Sequence, residues 1–83
     1  MKMMVHFQFD PADAAKVAPL IPAEQARMGE LREAGMLDAL YLAGNRAQGW
    51  LVLQGETQAA IAEALASLPL HPYMTATSTL LRE

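Results

Sequence analysis

His6 stands at the centre of the alternating run Met3-Met4-Val5-His6-Phe7-Gln8-Phe9. An imidazole changes charge near neutral pH, which suits a general base. The alternation puts His6 and Gln8 on one face and Val5, Phe7 and Phe9 on the other. The same position also suits a histidine that only hydrogen-bonds across a subunit interface. Glu24 shares a helical stripe with Leu20, Met28 and Leu31. A carboxylate on an apolar stripe can be a pocket acid with a raised pKa; a first-turn acid can equally be there for the helix N-terminus. Tyr73 and Trp50 offer surfaces for a flat ring, or for packing alone. His71, between Leu70 and Pro72, and Arg46, in a turn-rich link, read most simply as surface residues.

Several chemistries have no footing in the sequence. The two histidines are far apart and lack neighbours at metal-ligand spacing. Gly44 and Gly49 flank a hairpin instead of opening a helix, so no phosphate loop is formed. No nucleophilic serine signature is present. With no cysteine in the chain, a disulfide framework and a thiolate zinc site are both excluded. The six methionines suit a plastic core or interface and do not suggest a metal.

The elements that must position these groups can be read in order. Met3 to Phe9 is a strand, ended by Asp10-Pro11. Ala12 to Leu20 is a loop or a loose helical turn. A helix starts at Pro22, with Glu24 in its first turn, and stops at Gly35; Leu20, Ile21, Met28 and Leu31 form its apolar stripe. Leu37 to Ala43 and Trp50 to Leu53 are strands of a hairpin linked by residues 44–49. Thr57 caps a second helix with Ile61, Ala64, Leu65 and Leu68 inward and Gln58, Glu63 and Ser67 outward. Pro69 ends it, and Met74 to Leu81 is a threonine-rich strand. Thr75, Thr77 and Thr79 read as one solvated or interface face of that strand.

The order strand, helix, strand, strand, helix, strand predicts a single α+β domain of ferredoxin-like βαββαβ type. A four-stranded antiparallel sheet would carry both helices on one face. The other face, with His6 and Gln8, is left bare and calls for a second copy of the chain. Composition points the same way. A chain of 83 residues buries only about 60% of its unfolded surface. Yet 53% of its residues are hydrophobic, more than one small core hides, so a homodimer or larger homo-oligomer is expected. A net charge of −3, with scattered Lys and Arg, speaks against a nucleic-acid partner. No apolar run approaches the ~20 residues of a membrane span. The start of the chain turns polar too soon for a secretory signal, so a cytoplasmic location is expected.

Two motifs carry a resemblance. Ser67-Leu68-Pro69-Leu70-His71-Pro72-Tyr73-Met74 is similar to the S-L-P-L-x-P-Y-M segment of muconolactone isomerases, and Val5-His6-Phe7-Gln8-Phe9-Asp10 resembles their F-H-V-R-M-D strand. Glu24, Glu30-Leu31 and Gly35 fit the family's first helix and Gly44 its hairpin, so nearly the whole chain is covered. The resemblance implies a dimeric α/β barrel, often built into larger rings, with a pocket between sheet and helices. It implies isomerisation of an unsaturated lactone in aromatic catabolism, a proton shift that needs no cofactor and no metal. His6 would then be the base, with Glu24 and Tyr73 as acid or hydrogen-bond donor; Gln8, Trp50, His71 and Arg46 would contact a small-molecule substrate. The chain departs from the family in having Gln8 where the family has Arg, a shorter loop after the first strand, and no C-terminal extension. Two other functions fit the same fold: a cofactor-free small oxygenase, and a non-catalytic small-molecule-binding or oligomerisation module.

Overall fold

The structure is a computed structural model and describes residues 1–82. Strands β1 (Lys2–Phe9), β2 (Leu37–Leu42), β3 (Gln48–Gln54) and β4 (Met74–Leu80) form one antiparallel sheet in the order β2-β3-β1-β4. Helices α2 (Ile21–Glu33) and α3 (Gln58–Ala66) lie on one face of it. The α+β ferredoxin-like architecture expected from the sequence is therefore the architecture of the protein. No helix among the described residues is long and apolar enough to cross a membrane.

Alternation in β1 sorts the sheet into an inner and an outer face. Val5 and Phe7 point inward and are buried, joining Leu51 and Leu53 of β3, Leu31 of α2 and Ile61, Ala64, Leu65 and Leu68 at α3 in one core. The register then fixes the outer face: His6 lies between Trp50 and Thr77, Met4 between Val52 and Thr79, and Gln8 between Gln48 and Thr75. Tyr41 of β2 extends the His6 row beyond Trp50.

Helix ends follow local chemistry. Gly35, at φ 77°, takes the left-handed turn that closes α2. Its N–H donates to the Arg32 carbonyl at 3.0 Å and the Met36 N–H to the Leu31 carbonyl at 2.9 Å, the paired bonds of a Schellman ending. Thr57 caps α3 by accepting from the Ala60 N–H at 3.0 Å. All four inward residues expected of that helix are buried, and Gln58, Glu63 and Ser67 are exposed.

Some boundaries differ from the sequence reading. Residues 12–20 are mostly helical: two 3-10 turns, Pro11–Asp13 and Ala18–Leu20, flank a short α1 (Ala14–Val17). Pro11 opens the first of these turns at a position that suits proline, and Pro19, with no N–H to donate to a carbonyl of α1, interrupts the helical run before α2. Helix α2 begins at Ile21, which is 41% exposed and so falls off the buried stripe. Gln48 and Gly49 belong to β3 and not to the hairpin link, and Gly49 is buried opposite Phe7. A Cβ there would sit 2.5 Å from Phe7 Cζ and 2.7 Å from the Tyr41 carbonyl oxygen, so close approach of ring and backbone demands glycine. Strands β2 and β4 each end one residue earlier than expected, at Leu42 and Leu80.

Candidate functional site

The outer sheet face holds a shallow open hollow of about 350 Å³ lined by Met4, His6, Trp50, Thr77, Thr79 and Leu81. His6 is its only titratable member. Strand β1 is central in the sheet, so the imidazole is flanked on both sides and half-buried. Its ring stacks on Trp50 with centroids 5.2 Å apart and planes at 14°. Its Nε2 lies 2.9 Å from Oε1 of Gln48, the diagonal neighbour on β3. Where Gln48 presents this oxygen, Nε2 donates to it and the lone pair lies on Nδ1; with the carboxamide turned over, its NH2 donates to Nε2 instead. Stacking and hydrogen bond together fix the position of the imidazole on the sheet.

Glu24 lies on the other side of the sheet. It is on α2 two turns before the core residue Leu31 and is 8% exposed. Its Oε1 accepts from the Leu70 N–H at 3.1 Å. Desolvation by burial raises its pKa above the ordinary 4.5, and the Leu70 hydrogen bond opposes that rise without cancelling it. The carboxyl group thus anchors the segment that runs from α3 through the 3-10 turn His71–Tyr73 into β4.

The remaining sequence candidates fall around these two centres. Half-buried Tyr73 belongs to the turn that begins one residue past Leu70. His71, also half-buried, borders a second hollow of about 440 Å³ on the helix side, with Met3, Ile61, Leu65 and Ser78. Gln8 is exposed on the outer face next to Gln48 and Thr75. Arg46 is exposed in the hairpin link at φ 60°. The structure therefore brings His6 and Trp50 together, while the sheet separates His6 from Glu24. Sequence reasoning missed Gln48 as the partner of His6. It also missed Thr77 and Thr79 as walls of the hollow. Setting His6 opposite Trp50 in a β1–β3 pairing would have revealed Gln48, but one strand's pattern carries no register.

Fold and site define a small α+β domain with an open sheet face built around one imidazole. Solved structures that share that fold include two enzymes. One is muconolactone isomerase (TM-score 0.81, 24% identity, covering 100% of this chain and 91% of that chain). The other is 5-chloro-2-hydroxyhydroquinone dehydrochlorinase (TftG) from Burkholderia phenoliruptrix AC1100 in complex with 2,5-dihydroxybenzoquinone (TM-score 0.80, 11% identity, covering 99% and 94%). No curated protein sequence matches the chain. The profile of the muconolactone delta-isomerase family matches residues 1–83, and the chain belongs to that family.

Proposed function

We propose that this chain is an isomerase-like enzyme that needs no cofactor and shifts a proton within a small unsaturated lactone or acid, with His6 as the base. The observation that carries the reading is His6, stacked on Trp50 and hydrogen-bonded to Gln48, as the titratable side chain lining a hollow of apolar walls and threonine hydroxyls. In such a shift the base takes a proton from a carbon conjugated with the carbonyl, and charge moves onto the carbonyl oxygen as a dienolate. The proton then returns to the carbon at the other end of the conjugated system. His6 takes and returns it; a hydroxyl of Thr77 or Thr79 donates to the oxygen while it is charged. No atom is gained or lost, so the chemistry itself calls for no redox group. Tyr73 is the further candidate donor, and Glu24 serves through the turn that it anchors. A second copy of the chain covers the outer face in this scheme, where Tyr41 is 63% exposed.

With an unsaturated lactone as substrate, His6→Ala is expected to lower turnover by about 10²–10⁴-fold while the far-UV circular dichroism stays unchanged. A folded variant with undiminished turnover removes His6 from the mechanism. A second reading, a non-catalytic assembly module, draws on the stacking of His6 on Trp50, which alone accounts for an imidazole there. It requires no turnover and a weakened self-association in the same variant.

A further inference from the structure

Two contacts hold the His6 ring, and they do different things. Stacking on Trp50 at 5.2 Å, with planes 14° apart, fixes the plane of the imidazole. It does not distinguish that ring from one turned by half a revolution about Cβ–Cγ, which keeps the plane and exchanges Nε2 with Cε1. The Gln48 amide, 2.9 Å from Nε2, is the contact that tells nitrogen from carbon. Gln48 stands one row from His6 towards Gln8, whereas the hollow extends the other way, to Met4, Thr79 and Leu81. The amide thus holds the ring from outside the hollow. Tyr41 is the other titratable group of the His6 row. The Lys2–Asp38 pair, 3.4 Å apart, lies two rows away, or about 13 Å along the strand. Asp10 and Arg46 lie beyond the strand ends, and the helices pack on the opposite face.

We infer that Gln48 is a positioning residue whose amide oxygen faces Nε2, so that Nδ1 is left as the basic nitrogen of the proton shift. The inference rests on the proton-shift reading above and names what sets up its base. A base that takes a proton becomes an imidazolium, which donates from both nitrogens and accepts nothing. An amide oxygen at Nε2 suits both states. It accepts from Nε2–H before the proton is taken, and afterwards that bond becomes charge-assisted and stronger. An NH2 group in its place would occupy the lone pair of the neutral ring and set donor against donor in the imidazolium. The neutrality of the partner matters as well. A carboxylate at this point would favour the charged ring and leave fewer molecules with a free lone pair at neutral pH.

Long-range proton–nitrogen correlation spectra of the isotope-labelled protein, taken with the imidazole neutral, read the tautomer directly. The His6 signals are those absent from His6→Ala, which leaves His71, the other histidine. A protonated Nε2 with a bare Nδ1 is the expected pattern. Gln48→Leu is expected to mix the tautomers. With a carboxymethyl butenolide as probe it should lower kcat by about three- to tenfold and leave KM within about twofold, the effect of one hydrogen bond lost in the transition state. Gln48→Glu keeps an accepting oxygen and so keeps the tautomer. It is expected to move both the His6 titration midpoint and the acid limb of kcat/KM up by about one pH unit. A protonated Nδ1 in the unaltered protein overturns the inference, as does Gln48→Leu with unchanged tautomer and kcat, or an unmoved titration in Gln48→Glu. The expected spectra without turnover by the unaltered protein refute the proton-shift reading alone and support Gln48 as the group that orients the ring.

Discussion

Replacing Glu24 tests the one buried carboxyl group of the described fold. Its Oε1 accepts from the Leu70 N–H at 3.1 Å, and the residue is 8% exposed. Glu24→Ala leaves that N–H without its acceptor, a loss of about 1–3 kcal/mol. In a domain of this size, that lowers Tm by about 4–8 °C for each kcal/mol. Glu24→Gln keeps an accepting oxygen and removes the charge. The native pKa is raised above 4.5 by desolvation, so the folded state holds its proton to higher pH than the unfolded chain. The protonated carboxyl's contribution is therefore complete below 4.5 and is lost as pH rises through the native value. Urea unfolding should be followed by far-UV circular dichroism from pH 4 to 8 at fixed protein concentration, because self-association adds to apparent stability. The unaltered protein is expected to lose stability with rising pH relative to Glu24→Gln, so the gap between them widens in favour of glutamine. Glu24→Ala is expected below both at neutral pH. If glutamine proves as damaging as alanine at pH 8, and the two stability curves run parallel across the range, burial of the charge is not what governs this site.

Gly49→Ala is expected to destabilise by about 1–3 kcal/mol, because the new Cβ meets the Tyr41 carbonyl oxygen at 2.7 Å and that oxygen belongs to the β2 backbone. A thermal melt within a degree of the unaltered protein would show that β2 and β3 shift apart freely. Thr57→Ala removes the cap on the Ala60 N–H and should cost about 1 kcal/mol. Faster amide exchange at the start of α3, with β1 amides keeping the highest protection, is the expected signature.

Much of the fold was legible because each element repeats its own instruction. In β1 a period of two sends Val5 and Phe7 inward and His6 and Gln8 outward, with no help from distant residues. In α3 the cap Thr57 and the stripe Ile61, Ala64 and Leu65 agree on the same helix, and Leu68 continues the buried face just past its end. The misread places are those where a distant neighbour decides. Gly49 looks like turn chemistry, yet it is a strand residue whose missing side chain makes room for Phe7. The carboxyl of Glu24 was visible as an acid on an apolar stripe, but its partner Leu70 lies 46 residues away. The His6–Gln48 contact likewise depends on strand register, which tertiary packing sets.

That separation of the two acid–base candidates constrains any mechanism within one subunit. Side chains leaving a strand alternate between faces, so His6 and Glu24 are divided by the sheet itself and cannot pass a proton directly. Groups that assist His6 must come from its own face, and those beside it are hydroxyls and an amide: Thr77, Thr79 and Gln48. Glu24 nevertheless remains mechanically connected to them. It holds Leu70, three residues after Leu70 comes Tyr73, and β4 starts at Met74 and carries Thr77 and Thr79 to the rim of the hollow. Loss of the Glu24 anchor therefore loosens the entry to β4 from the helix side while leaving the His6–Trp50–Gln48 arrangement on β1 and β3 in place. Glu24→Ala should accordingly disturb ligand contacts made by β4 more than the imidazole itself, so that KM rises by a larger factor than kcat falls. A fall in kcat with KM unchanged would refute this anchoring account of Glu24.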